Sequence, residues 1–155
     1  MDWEQRLAQA WDEERPADED LVARIEALAA ELGPDSAVGD FERASSLDST
    51  GHPDLAVPLY MSALEHGLSG ERRRRAVIQL ASSLRNLGRA DESVALLRGE
   101  LGVPDDGLQD AVRAFLALAL ADTHREREGL SLALAALAPH LPRYQRSLAA
   151  YADDL

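Results

Sequence analysis

The sequence predicts an all-α fold, a right-handed solenoid of about four helical hairpins closed by a C-terminal capping helix. The first observation behind this is a recurrence. The stretch Val77-Ile78-Gln79-Leu80-Ala81-Ser82-Ser83-Leu84, with Gly88 and Ser93-Val94-Ala95-Leu96-Leu97 behind it, returns in degenerate form on both sides of itself. Shifted 37 residues toward the N-terminus, Ala81, Leu84, Gly88, Ser93 and Leu97 fall on Ala44, Leu47, Gly51, Ala56 and Tyr60. Shifted 36 the other way, they fall on Ala117, Leu120, His124, Gly129 and Ala133. The second observation is periodicity: apolar residues keep helical spacing, two amphipathic helices to each period, and no alternating strand pattern interrupts them. The third is length. At 155 residues the chain is one domain that buries roughly 70% of its unfolded surface, enough to stand without staples.

Trp3, Leu7, Ala10 and Trp11 form the apolar stripe of a first helix capped by Asp2. After the turn Glu13-Glu14-Arg15-Pro16, Asp18 can cap a second helix with the stripe Leu21, Val22, Ile25, Leu28, Ala29 and Leu32, ending at Gly33-Pro34. Residues 1–35 therefore read as a diverged hairpin serving as N-terminal cap. The first repeat, 36–68, runs from Ser36 to Ser49, turns at Thr50-Gly51-His52 and returns from Pro53, which suits a first helical turn because its missing N–H has no partner there. The second, 69–104, has Ser69 as cap, a helix to Leu87, a turn at Gly88 and a partner helix over 90–101. The third, 105–141, follows the joint Gly102 to Gly107 with helices over 108–123 and 126–137. Pro139 and Pro142 bracket a break, and Tyr144, Leu148, Tyr151 and Leu155 give residues 142–155 the stripe of a capping helix.

Charge narrows the function. A net charge of −12 repels nucleic acid and anionic membrane alike. The acidity is confined: residues 1–70 hold 4 arginines against 16 acids, whereas residues 71–155 hold 12 of each. All sixteen basic residues are arginine, which together with abundant alanine and leucine points to codon bias in a GC-rich genome. There is no cysteine, so disulfides and thiolate metal sites are excluded. The acidic start Met1-Asp2-Trp3-Glu4 and the lack of a long apolar run predict a soluble cytoplasmic protein.

The spacing Val77-x2-Leu80-Ala81-x2-Leu84, then Ser93-x3-Leu97, resembles the tetratricopeptide pattern, with apolar residues in every large slot and small ones in every small slot. Arg113, Leu116, Ala117, Leu120, Gly129 and Ala133 repeat it, as do Asp40, Arg43, Ala44, Leu47, Ala56 and Tyr60, so it covers about residues 37–141. Asp40 and Arg43 depart from it, standing where large apolar groups belong, so the seam against the N-terminal cap must be polar or be built in another way. The chain resembles small single-domain bacterial tetratricopeptide proteins. That resemblance implies protein–protein interaction through a concave groove lined by the first helix of each hairpin, and it implies no particular partner; the sequence itself holds no Gly-rich phosphate loop or nucleophile motif, so no cofactor is expected.

Placed on that geometry, the central first helix offers Arg75, Ile78, Ser82, Arg85 and Asn86 to the groove. Arg75, Arg85, Ser82 and Asn86 would orient a ligand by charge-assisted hydrogen bonds to a localised acidic group, while Phe41, Ile78 and Leu118 would give apolar contact. Against this stands a plain solvated polar face. The run Arg72-Arg73-Arg74-Arg75 opposes the helix dipole and calls for offsetting acids, with Glu71 and the acidic first half nearest. No aromatic residues interleave with it to stack bases. The nearly all-apolar helix around Ala114 and Leu118 is expected to lie under the C-terminal helix, or otherwise to floor a partner site or dimer contact. Asp122, His124, Glu126 and Glu128 form the densest polar group, but they sit at a hairpin turn with no second histidine near, so no metal or catalytic residue is assigned. The sequence thus predicts a non-enzymatic adaptor or scaffold for a peptide or helix of another cytoplasmic protein. The alternatives are a self-associating homodimer module, with acidic half meeting arginine cluster, and a small enzyme or metal-binding protein.

Overall fold

The computed structural model describes residues 1–12 and 18–155, with Asp18 through its backbone only. The expected turn at Glu13 to Pro16 and the cap at Asp18 lie outside the described residues. All described regular structure is helical. In order come α1 (Trp3–Asp12), α2 (Asp18–Ala30), α3 (Ala37–Ser49), α4 (Pro53–Glu65), α5 (Gly70–Asn86), α6 (Ala90–Glu100), α7 (Gln109–Asp122), α8 (Glu126–Leu137), one 3-10 turn (Ala138–His140) and α9 (Gln145–Asp153). Among the described residues no helix is long and apolar enough to cross a membrane. The chain divides into two compact units, Met1–Ser83 and Leu84–Leu155, with the border inside α5.

In the first unit α1 starts with a reciprocal cap. Asp2 Oδ1 accepts from the Gln5 amide at 2.8 Å, and Gln5 Oε1 accepts from the Asp2 amide at 2.9 Å. Its expected stripe does close on α2: Leu7 and Ala10 are buried with Ile25 and Leu28, flanked by Trp3, Trp11 and Leu21. The Trp3 indole N–H donates to the Leu28 carbonyl at 2.8 Å, so the large ring is partly buried without stranding its polar atom. Ser36 caps α3 by accepting from the Gly39 amide. Pro53 opens α4 at a position where no N–H is needed. The Phe41 and Tyr60 rings, both fully buried, lie 6.3 Å apart between these two helices. Burial pushes the Tyr60 phenol above its ordinary range, and its hydroxyl donates to Asp48.

The expected polar seam is present in the first unit. Arg43 grips Glu26 of α2 with two hydrogen bonds, at 2.8 and 3.1 Å, and lies 3.5 Å from Asp40. Asp40, itself buried, accepts from Ser62 at 2.6 Å, and His66 lies 3.5 Å from the same oxygen. Charge thus fills slots that the repeat pattern gives to apolar side chains.

In the second unit α7 and α8 make a close hairpin at the predicted small pair. A β-carbon on Gly129 would stand 2.8 Å from the Ala117 carbonyl oxygen, so only glycine permits this approach. The turns keep the period too. Gly51, Gly88 and His124 occupy equivalent positions and share a left-handed backbone, with φ of 86, 77 and 59°. In α9 the periodicity and the packing diverge, which corrects the expected stripe. Ala152 is fully buried, with Leu148 and Ala149 partly buried, whereas Tyr144 and Tyr151 remain 76% and 67% exposed. Ser131 of α8 donates to the Ala152 carbonyl at 2.8 Å. Small residues let α9 seat closely on α8, and that seat turns the tyrosines outward.

Candidate functional site

The arginine run is divided by its surroundings. Arg72 is the hub: its Nε donates to Glu42 at 3.0 Å, and its two terminal nitrogens donate to Glu4 at 3.0 and 2.6 Å. These bonds, Glu4 first, hold its guanidinium above an already high pKa. Its guanidinium also lies 6.0 Å from the Trp3 ring centre, and Trp11 donates to the other oxygen of Glu42. Arg73 and Arg74 are engaged as well, and Arg74 is buried. Arg75 differs. It is exposed, it makes no ion pair or hydrogen bond among the described residues, and its guanidinium rests 5.3 Å over the Phe41 ring. Among the described residues the acidic first half therefore answers the cluster at Arg72 and not at Arg75.

Two concavities of the first unit meet at Arg75. One, of about 450 Å³, opens between the start of α3 at Ala37 and Val38, the turn Gly67 to Ser69, and Arg72. The other, about 190 Å³, lies between Ala8 and Trp11 of α1, Glu42 of α3, and the same arginines. A guanidinium that meets no carboxylate among the described residues, on the rim of both hollows, can take a carboxylate bidentately. The two apolar residues expected beside it contribute little surface. Phe41 is fully buried beneath Arg75, and Ile78 is buried in α5. Ser82 is partly exposed.

The other expected residues belong to the second unit. Arg85 faces Asp122 of α7, with Nε and Oδ2 2.6 Å apart, so its charge is answered within the chain. Asn86, the last residue of α5, is exposed. Leu118 is 47% exposed, in line with exposed Ala114 and Ala121 on α7. The expected cover by the C-terminal helix is corrected here: α9 packs on α8 and the 3-10 turn, not on α7. The acidic and histidine group at the α7–α8 turn does not converge. Asp122 pairs with Arg85, and Glu128 with Arg98 and Arg125, while the His124 side chain is almost wholly exposed. No group of three or more metal-ligating side chains gathers among the described residues.

Sequence reasoning missed the hollow at Gly67 to Ser69. It forms where the α4–α5 turn meets the start of α3, a tertiary event with no local signature. The left-handed Gly67, with φ of 82°, was the available signal for a tight turn. No protein of curated function matches the chain in sequence. A family model described as Tetratrico peptide repeat matches residues 37–155, which takes in every helix from α3 to α9. With the hairpins, the small pair at Ala117 and Gly129 and the repeated left-handed turns already in place, that match assigns the chain to the tetratricopeptide repeat family.

Proposed function

We propose that this protein is an adaptor that holds a segment of another protein against its first unit, with Arg75 binding an acidic group of that segment. The family is one of protein–protein interaction modules, and the chain's own charges supply the finer reading. The observation that carries it is the guanidinium of Arg75, without an ion pair among the described residues, on the rim of two hollows in a strongly acidic first half. Such a field turns away uniformly acidic chains and favours a ligand whose negative group is placed at one point. The cation–π contact with Phe41 restrains the guanidinium, so less side-chain freedom is lost on binding.

Recovery of partners from native lysate, read by quantitative mass spectrometry, tests this with Arg75→Glu and Arg75→Ala beside the wild type. The expected result is loss of the partner with Glu and weakened recovery with Ala. Both variants should melt with the wild type, because an exposed arginine without an ion pair contributes little to folding. Undiminished recovery by Arg75→Glu would remove the guanidinium from the mechanism. Arg85→Glu is the matched control: it sets two carboxylates face to face at Asp122 and should lower the melting midpoint.

A further inference from the structure

The charge order of α9 runs against its own dipole. Arg143 precedes the helix and Arg146 lies in its first turn, where the peptide dipoles already present positive charge. Asp153 is its last residue and Asp154 its C-cap, at the negative end. Arg127 of α8 donates to the Leu155 carbonyl at the negative end, but among the described residues none of these four side chains itself makes an ion pair or hydrogen bond. Between the two charged ends runs the unburied part of the apolar stripe. Tyr144 and Tyr151 are largely exposed, Leu155 is 37% exposed and Leu148 partly so. Leu148 and Tyr151 are neighbours on one face of α9, and Tyr144, its left-handed N-cap, and Leu155, just past its C-cap, extend that apolar surface at the two ends.

An arrangement unfavourable for one helix is favourable for two that run antiparallel. A second copy of α9 in reversed direction brings its Asp153 and Asp154, and the negative end of its dipole, to Arg143 and Arg146 of the first. The two-fold repeats the same contact at the other end. Tyr144 and Tyr151 of one copy then lie near Tyr151 and Tyr144 of the other, with Leu148 near the axis. Charge elsewhere agrees: the N-terminal seventy residues carry all of the net −12, whereas residues 71–155, which include α9, are neutral in sum and add no net repulsion between copies. We infer that the exposed stripe of α9 is a self-association surface on which two copies pair antiparallel. This surface is separate from Arg75 and independent of the adaptor reading. One short helix from each copy makes a small interface, so the dimer should be weak, with a dissociation constant on the order of tens of micromolar.

Sedimentation equilibrium over a concentration series tests this with two double variants, Arg143→Glu with Arg146→Glu, and Asp153→Arg with Asp154→Arg. Each makes α9 uniformly charged, so each alone should lose the dimer by about tenfold or more in dissociation constant, and an equimolar mixture should restore it. Each change also removes the mismatch with the helix dipole at the end it alters, so the melting midpoint should hold or rise, which separates loss of pairing from loss of fold. Tyr151→Glu, at an exposed position, should also give a monomer. The inference is overturned if the wild type stays monomeric well above that concentration, which would leave the stripe for a different chain. A dimer indifferent to both double variants, or variants that stay monomeric when mixed, would overturn it equally.

Discussion

In the first unit, helices distant in sequence are joined by charge. Arg43 of α3 holds Glu26 of α2, and Arg72 of α5 holds both Glu42 of α3 and Glu4 of α1. In the second unit the closest junction carries no charge: α7 and α8 meet where Gly129 leaves room for the Ala117 carbonyl. The tightest glycine of the first unit, Gly39 against Ala29, is looser, with 3.3 Å where Gly129 has 2.8 Å. The contrast follows the repeat pattern. Where a hairpin keeps its small slots, backbone proximity and apolar packing hold it. Where the large slots are Asp40 and Arg43, carboxylates and guanidinium groups take over, and they make a specific but desolvation-sensitive joint.

The sharpest way to break that contrast is Arg72→Met. It removes the guanidinium from Glu42, whose side chain is only 4% exposed, and leaves the Trp11 indole donating to a buried carboxylate that has lost its Arg72 cation. We expect a loss of about 3 kcal/mol in denaturant melts, since stripping one partner from a buried pair exposes the full desolvation penalty of the other. Adding Glu42→Gln should recover much of the loss, because the stranded charge is then gone. If Arg72→Met melts with the wild type, charge does not hold the first unit together.

Next in size is Gly129→Ala. The new methyl would stand 2.8 Å from a backbone oxygen, which cannot rotate away, so α7 and α8 must separate. A loss of about 2 kcal/mol is expected from such overpacking. Gly39→Ala, at 3.3 Å from Ala29 and Ser36, should cost clearly less and serves as the matched measurement in the first unit. Equal losses would show that backbone closeness matters equally in both units.

These two changes also mark how far the sequence could be read. The small slots at Ala117 and Gly129, the cap at Ser36, the turn glycines and the limits of α8 were legible because each is local, fixed by one residue's size, φ or side-chain oxygen. The polar seam was legible as a departure from pattern, and the carboxylate that would answer Arg43 was not. Partner choice across 30 or 68 residues, as between Arg72 and Glu42 or Glu4, depends on which faces the fold brings together. Phe41 looked available for contact because an aromatic residue carries no mark of whether an arginine will lie over it. In α9 the conspicuous Tyr144–Leu148–Tyr151–Leu155 stripe misdirected the reading of the buried face. Close helix packing selects small residues, and Ala149 and Ala152 are quieter in any hydrophobic pattern than two tyrosines.

The smallest expected effect closes the comparison. Arg98 of α6 reaches Glu128 of α8 at 2.6 Å, the counterpart in the second unit of the Arg43 to Glu26 bridge. Distance alone would rank it beside Arg72. Burial ranks it far lower: both side chains are about 40% exposed, so water already solvates each charge and removing one strands nothing. Glu128 also keeps Arg125 as a second cation. Arg98→Gln should therefore shift stability by less than about 0.5 kcal/mol, and what effect there is should vanish in high salt. The measurement is a pair of melts, at low and high salt, run beside Arg72→Met. A loss as large as that of Arg72→Met, surviving in salt, would mean that the second unit too is joined by charge.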